Sequence, residues 1–236
     1  MLRNVKEFLK AFPAQENELR RIYYKVAGKG VNAGFEGSSP YWENRYRAGG
    51  NSGAGSYDRL AVFKAKILNE FVEVHNVQSV LEFGSGDGSQ LSLGEYPMYR
   101  GLDVSPTAIE TCRKKFSDRP HYEFFLVDHE PSKTTADLVM SLDVIYHLVE
   151  DEVYERYISD LFRRSHRFVV IYSSNYSRPW VIPHVRHRNF SEWVAKHCSN
   201  WQLIQTVENP YPYDENVNFT SFADFYFYER QPEKSA

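Results

Sequence analysis

The 236-residue sequence predicts an α/β fold with a doubly wound sheet of seven strands. Two observations carry this prediction. From about residue 76 onward, short apolar runs alternate with amphipathic helical patterns, which is typical of parallel strands with helices on both faces of the sheet. The last two strand-like segments follow each other with only a loop between them. They predict an edge pair in which the last strand is antiparallel, beside five parallel strands.

The strands are identified as apolar runs that end in polar or turn-forming residues. The five parallel strands are predicted at residues 78–83, 98–104, 122–127, 136–142 and 167–172, and the edge pair at residues 201–207 and 221–228. Ser105 is predicted to cap a helix that begins at Pro106. A second helix between strands is indicated by apolar residues at helical spacing from Val153 to Phe162.

The N-terminal part of the chain is predicted to be a short helical appendage. Apolar residues recur at helical spacing in residues 2–12 and 19–26, which indicates two short amphipathic helices. Residues 49–56 contain four glycines and predict a loop. A longer helix follows, with Ser56 as its predicted N-cap.

Composition excludes several classes of protein. The formal net charge of −3 gives no overall basic field for nucleic acid. Cys112 and Cys198 are far apart and form no metal-binding or disulfide pattern, so we expect no metal site and a cytoplasmic protein. No run of residues is long and apolar enough for a membrane span, and we expect no membrane partner.

Polar residues lie at the predicted carboxyl ends of the first strands, where open parallel sheets bind ligands. The first strand runs into a turn with Gly84 and Gly86, which gives a ligand access to backbone N–H groups at the expected start of a helix. Glu82 precedes that turn and would attract a cationic group. Asp103, at the next strand end, suits ribose hydroxyls, and Asp128, at the third, suits the amine of adenine. Together these residues favour a nucleoside ligand.

Four segments resemble the motifs of class I S-adenosylmethionine-dependent methyltransferases, in the order usual for that family. They read VLEFGSGDGSQL, YRGLDVSPTAIE, FFLVDHEP and ADLVMSLDVIYHL. The resemblance implies a Rossmann-like sheet and S-adenosyl-L-methionine as cofactor. It divides the chain into residues 1–56, a helical cap with a loop that covers the cofactor, and residues 57–236, the methyltransferase domain. The implied cofactor-binding residues are Glu82, Gly84, Ser85, Gly86, Asp103, Val104, Asp128, His129 and Leu142.

The resemblance also places the reactive methyl group at the fourth strand end. His147 is the candidate general base there, because its ordinary pKa suits proton transfer at neutral pH, and Tyr146 is the second candidate catalytic residue. A structural role for His147, as a helix cap or a core residue, is the alternative. The candidate acceptor-binding residues are Tyr57, His184, Arg186, His187 and Arg188, since arginines and histidines suit an anionic or hydroxylated acceptor.

The predicted activity is methyl transfer to a hydroxyl of a sugar, glycan or phosphorylated metabolite. Longer segments, among them SLDVIYHLVEDEVYERYISDLF, resemble methyltransferases of bacterial clusters that modify surface glycans and related metabolites. N-methylation of a small metabolite is the close alternative, and a nucleic-acid or protein methyltransferase is less favoured. A nucleotide-dependent oxidoreductase and an inactive scaffold with the same fold are also considered and disfavoured by the glycine spacing and the intact cofactor motifs. The chain is compatible with a homodimer as well as a monomer.

Overall fold

The structure is a computed structural model, which describes residues 35–131, 133–180 and 182–232. The two predicted amphipathic helices at residues 2–12 and 19–26 lie outside the described residues. Within the described part of the chain, five α-helices and seven β-strands form one layered α/β unit.

The sheet has the predicted strand content. Its strands are β1 (Ser79–Phe83), β2 (Met98–Asp103), β3 (Tyr122–Leu126), β4 (Ala136–Leu142), β5 (Ser165–Ser173), β6 (Trp201–Val207) and β7 (Asp224–Arg230). They lie in the order β3-β2-β1-β4-β5-β7-β6. The pairs among β1 to β5 are parallel, and β7 is antiparallel to both β5 and β6. The predicted five parallel strands with an antiparallel last strand are therefore confirmed, with β6 at the outer edge.

Five helices surround this sheet: α1 (Ser38–Arg47), α2 (Asp58–Val74), α3 (Pro106–Lys115), α4 (Asp151–Arg163) and α5 (Phe190–His197). The start of α3 is as predicted, since the Ser105 hydroxyl accepts a hydrogen bond of 3.1 Å from the Ala108 N–H and Pro106 occupies the first turn. The prediction that Ser56 caps α2 is wrong. Ser56 ends a short 3₁₀ turn, and Tyr57 occupies the N-cap position without a side-chain hydrogen bond to the helix.

Among the described residues, the apolar core has two parts, one on each face of the sheet, as expected for strands whose side chains alternate between two covered faces. One part packs Leu68 and Phe71 of α2 and Ile109 of α3 against the sheet. The other part packs Ile158 of α4 and Phe190 of α5 against the opposite face.

The strand order reverses between β1 and β4, because β1 connects forward to β2 on one side while β4 lies on the other. Such a switch point opens a crevice at the carboxyl ends of the strands. The expected α-helix after β1 is absent from the described residues. The chain instead makes a turn and a short 3₁₀ segment, Leu91–Leu93. The N–H groups of the glycine turn therefore do not begin an α-helix, and they form hydrogen bonds with residues of β2.

Candidate functional site

In the glycine turn after β1, the backbone conformation and the close neighbours leave no room for a side chain at Gly84 or Gly86. Gly84 and Gly86 have φ angles of +88° and +57°, in the region that favours glycine. A Cβ atom at Gly84 would lie 2.4 Å from Cγ2 of Val144, and one at Gly86 would lie 2.3 Å from Oγ of Ser52. The turn is therefore packed closely between the β4 end and the loop before α2. The walls of the crevice approach each other at this point.

Asp103, the last residue of β2, holds the glycine turn in place by a hydrogen bond to its backbone. Its buried carboxylate accepts hydrogen bonds of 2.9 Å from the backbone N–H of Gly86 and 2.9 Å from that of Ser105. Burial raises the pKa of Asp103, and these backbone hydrogen bonds oppose the rise. The Gly84 N–H donates to the Leu102 carbonyl at 2.7 Å. The free N–H groups expected at a helix start are thus used to join the ends of β1 and β2.

Glu82 lies buried on β1 beneath the same turn. The Tyr99 hydroxyl donates a hydrogen bond of 2.5 Å to its carboxylate. Burial raises the pKa of Glu82 to about 7, although the Tyr99 hydrogen bond and the positive charge of Lys64 act to lower it. A cation bound next to Glu82 would favour its ionised form and draw the pKa down.

A cavity follows the carboxyl edge of the sheet from the glycine turn to the ends of β3 and β4. Of the predicted cofactor residues, all except His129 line it. The His129 side chain is exposed and its backbone N–H donates to the Leu126 carbonyl at 2.9 Å. The structure therefore brings together eight residues that the sequence analysis named: Glu82, Gly84, Ser85, Gly86, Asp103, Val104, Asp128 and Leu142.

Two buried polar atoms at the cavity have no partner in the described residues. They are Oγ of Ser85 and Oε1 of Gln90, and both side chains line the cavity. The Gln90 amide nitrogen donates to the Ala61 carbonyl at 3.1 Å, which leaves the amide oxygen to accept a hydrogen bond. Buried polar groups are normally paired, so these two atoms fit a ligand with polar substituents at this end of the cavity.

A buried ion pair stands at the end of β4. Nζ of Lys64, on α2, lies 2.6 Å from Oδ2 of Asp143, and these side chains are 1% and 12% exposed. The Tyr146 hydroxyl donates to Oδ1 of the same carboxylate at 2.8 Å. Tyr146 does not line the cavity, and its hydroxyl is engaged with Asp143. Asp143 itself has a φ of +60°, a conformation that aspartate and asparagine tolerate better than most residues.

His147 lines the cavity one turn further along. Its Nδ1 lies 2.9 Å from the His184 carbonyl oxygen. A carbonyl only accepts, so Nδ1 carries the proton and Nε2 carries the lone pair. Burial lowers the pKa of His147 to about 4, while its hydrogen bond to the His184 carbonyl acts in the opposite direction. His147 is thus neutral at physiological pH and can accept a proton at Nε2.

Helix α1, which the sequence analysis did not predict, lines one side of the cavity. The Glu43 carboxylate accepts hydrogen bonds from the hydroxyls of Ser105, at 2.5 Å, and Thr107, at 2.8 Å. At the other end of α1, the Ser38 N–H donates to Oε1 of Glu150 at 2.8 Å. The helix is therefore attached to the starts of both α3 and α4. The aromatic ring of Trp42 contacts His147 edge-on, with ring centroids 4.9 Å apart.

The predicted acceptor-binding residues are mostly engaged with other parts of the chain. The Tyr57 hydroxyl donates to Asp87 in the glycine turn at 2.8 Å and does not line the cavity. Arg186 and Arg188 each lie 3.0 Å from the same Asp151 oxygen at the start of α4. These contacts hold the loop after β5 against α4, and they leave the two guanidinium groups paired.

The two histidines of that loop differ in position. The His184 ring stacks on Tyr41, with centroids 4.2 Å apart, and lies 5.6 Å from the His147 ring. It is therefore the member of the predicted acceptor set that lies beside the candidate base. His187 is buried, and its Nδ1 lies 2.7 Å from the Ser174 hydroxyl. Burial lowers the pKa of His187 to about 4.

Lys64 is the main site residue that the sequence analysis missed. It occupies the apolar stripe of α2, four residues after Leu60 and four before Leu68, both of which are fully buried. A lysine at a buried position of an amphipathic helix needs a counterion. That pattern is visible in the sequence and could have indicated a polar site under α2.

Metal and membrane features are not found in the part of the chain that the structure describes. No group of three or more His, Cys, Asp or Glu side chains there could hold a metal ion. None of the described helices combines the length and apolar character needed to cross a bilayer.

Residues 81–169 match the sequence model of a family described as Methyltransferase domain. No curated protein matches the chain. Among solved structures, the methyltransferase domain of bacterial CtHen1-C is similar with a TM-score of 0.56 at 16% identity, covering 72% of this chain and 97% of that one. Magnesium protoporphyrin IX methyltransferase from Synechocystis PCC 6803, solved with bound SAM, gives a TM-score of 0.53 at 16% identity, with 72% and 79% covered. The N-methyltransferase NodS from Bradyrhizobium japonicum WM9, in complex with S-adenosyl-L-homocysteine, gives a TM-score of 0.54 at 18% identity, covering 72% of this chain and 85% of that one.

The buried ion pair leads to a prediction about stability. Replacing Asp143 by asparagine keeps a residue that tolerates the left-handed backbone and can still accept from Tyr146, but it removes the counterion of Lys64. Asp143→Asn is expected to lower the free energy of unfolding by about 3 kcal/mol, the cost of leaving one partner of a buried pair uncompensated. Urea denaturation measures this change.

The double variant Lys64→Met/Asp143→Asn is the control for that measurement. It is expected to be more stable than Asp143→Asn alone, because the unpaired ammonium is replaced by an apolar side chain of similar length. Equal stability of Asp143→Asn and the wild type would show that the pair is not buried as described.

Proposed function

Since this chain is a class I S-adenosylmethionine-dependent methyltransferase, we propose that it methylates a hydroxyl of a small molecule: a sugar, a glycan or a phosphorylated metabolite. The observation that carries the proposal is the state of His147. Its neutral imidazole lines the cavity at the end of β4 and has a lone pair at Nε2. A hydroxyl acceptor has to lose a proton when it is methylated, and this atom can take it.

S-adenosyl-L-methionine is the cofactor, and when bound it supplies an electrophilic methyl group on a sulfonium centre. We assign its adenine to the end of the cavity at Asp128 and its ribose to the vicinity of Asp103. Its methionine portion is assigned to the glycine turn and Glu82. Support comes from the order of these residues along the cavity and from the unpaired Ser85 and Gln90 atoms at the Glu82 end. His129 is left out of this assignment because its side chain does not line the cavity.

His147 is assigned as the general base and the surrounding rings as the walls of the acceptor site. Burial holds its pKa near 4, so the base is ready over the whole physiological range. The same low pKa makes it a weak base, and alignment of the acceptor with the methyl group therefore has to supply much of the rate. Trp42 lines the cavity beside the imidazole, and a flat ring of this kind suits a sugar-like acceptor.

The finer assignments of acceptor and assembly stay predictions. The arginines Arg186 and Arg188 are paired with Asp151, which weakens the case for an anionic acceptor at those two residues. The homodimer and the exclusion of nucleic-acid acceptors also stay predictions.

The experiment that tests the function measures S-adenosylhomocysteine formation by the full chain with panels of acceptors. One panel contains sugars, nucleotide sugars and phosphorylated metabolites, and a second contains matched amines in which an amino group replaces the hydroxyl. Mass spectrometry and NMR of the product locate the methyl group. O-methylated product from the first panel supports the proposal. N-methylation of the second panel alone, or no turnover with either panel, would contradict it.

His147→Ala is expected to lower kcat about 100-fold or more with the acceptor identified in that assay, because a general base contributes roughly 10²- to 10⁴-fold. The dissociation constant of S-adenosylhomocysteine should stay within about twofold of the wild-type value, since the imidazole is not assigned to cofactor binding. Steady-state kinetics and calorimetry measure the two quantities.

The control for this variant is His166→Ala, which changes an exposed histidine at the start of β5, at the end of the strand opposite to the cavity. Both kcat and cofactor affinity should be unchanged there. If His147→Ala keeps the wild-type kcat, alignment alone accounts for catalysis and the role of base is refuted.

Cofactor binding is expected to depend on pH through Glu82. Below its pKa of about 7 the carboxyl is increasingly protonated and offers no negative charge to the ammonium of the methionine portion. Binding should therefore strengthen as pH rises, by about tenfold from pH 5.5 to 7, a range in which the ligand ammonium keeps its proton. Calorimetric titration with S-adenosylhomocysteine measures this trend.

Glu82→Gln should bind more weakly at pH 7 and show little pH dependence, because the titrating group is gone. Glu110→Gln, on the exposed side of α3, is the matched control and should follow the wild type. Wild-type affinity that is constant from pH 5.5 to 7 would argue against contact between Glu82 and the ammonium.

A further inference from the structure

The buried ammonium of Lys64 has more hydrogen-bonding capacity than the chain uses. A lysine ammonium has three N–H donors. In the described residues, Lys64 makes one hydrogen bond, to Asp143 at 2.6 Å, and its Nζ lies 5.2 Å from the centre of the Tyr172 ring. The side chain is 1% exposed, and no other described residue accepts a hydrogen bond from the remaining donors. A buried charge of this kind is costly unless further partners complete its shell.

The surroundings of Lys64 show which partner fits. Lys64 lines the cavity together with Glu82, Ser85 and Gln90. Its charge lowers the pKa of Glu82, which lines the same cavity. The Gln90 amide is tied to Ala61, one turn before Lys64 on α2, with its oxygen unpartnered. This end of the cavity thus offers two acceptors, Glu82 and the Gln90 oxygen, next to one cation.

That arrangement is complementary to a zwitterion. The methionine portion of the cofactor carries an ammonium and a carboxylate on the same carbon atom. The two acceptors suit the ammonium, and Lys64 supplies the positive charge that the carboxylate requires. Arg156 is the other lysine or arginine that lines the cavity within the described ranges, but it lies on the exposed side of α4.

We infer that Lys64 binds the carboxylate of the cofactor's methionine portion while it keeps its hydrogen bond to Asp143. The ammonium then bridges two carboxylates, one from the ligand and one from the end of β4. The inference rests on the cofactor and is independent of the acceptor and of the role of His147.

The test compares two ligands by calorimetric titration of the full chain. One is S-adenosylhomocysteine, and the other is its decarboxylated analogue, which keeps the ammonium and lacks only the carboxylate. Lys64→Met should weaken binding of S-adenosylhomocysteine about 10- to 100-fold, the effect of losing a charge-assisted hydrogen bond. The loss of affinity for the decarboxylated analogue should be at least about tenfold smaller, since that ligand has no carboxylate for Lys64 to bind and responds only to the rise in the Glu82 pKa.

Lys66→Met is the matched control, because Lys66 is exposed on the same helix, two residues away. It should change neither affinity. The wild-type protein gives a second measurement that needs no folded variant at position 64: it should bind S-adenosylhomocysteine at least about tenfold more tightly than the decarboxylated analogue.

Three results would overturn the inference and leave the cofactor assignment in place. The first is equal wild-type affinity for the two ligands, which would show that the carboxylate makes no favourable contact. The second is an equal loss of affinity for both ligands in Lys64→Met, as a purely structural lysine would give. The third is loss of discrimination in Arg156→Met and not in Lys64→Met. Failure of the wild type to bind either ligand would refute the cofactor assignment itself and the inference with it.

Discussion

The site depends on one buried carboxylate. Asp103 ends β2 and accepts hydrogen bonds from the backbone N–H groups of Gly86 and Ser105, which belong to two different loops. Because those N–H groups have no helix partners, the carboxylate is what fixes both loops at the switch point of the sheet. The positive φ angles of the glycine turn are needed to bring Gly86 to it. The two hydrogen bonds of this carboxylate therefore join the glycine turn to the loop before α3 at the edge of the cavity.

The remaining polar groups of the cavity are held by contacts between distant parts of the chain. Lys64 reaches Asp143 from α2, and His147 is oriented by the carbonyl of His184, 37 residues later. Helix α1 lies over these groups and is attached to the starts of α3 and α4 through Glu43 and Ser38. Burial raises the pKa of Glu82 and lowers the pKa of His147, since it disfavours the charged form of each.

Sequence reasoning recovered the features that depend on local patterns. Strand positions, the Ser105 cap and the glycine turn are encoded by neighbouring residues, and parallel topology places Glu82, Asp103 and Asp128 on one edge. Sequence reasoning could not show which charged and polar side chains form pairs with residues that are distant in the sequence. Arg186 and Arg188, which were predicted to bind an acceptor, form ion pairs with Asp151. The Tyr57 hydroxyl donates a hydrogen bond to Asp87. Helix α1 was missed because its polar, weakly amphipathic residues carry little helical signal, and its position is set by tertiary contacts.

The central claim is that this edge of the sheet binds S-adenosyl-L-methionine with Asp103 at the ribose. Calorimetric titration of the full chain with S-adenosylhomocysteine tests it most directly. The account predicts one binding site with a dissociation constant on the order of micromolar, weakened about 10- to 100-fold in a folded Asp103→Ala variant by the loss of a charge-assisted hydrogen-bond partner. Absence of binding heat at about millimolar ligand, or the same dissociation constant in both proteins, would contradict it.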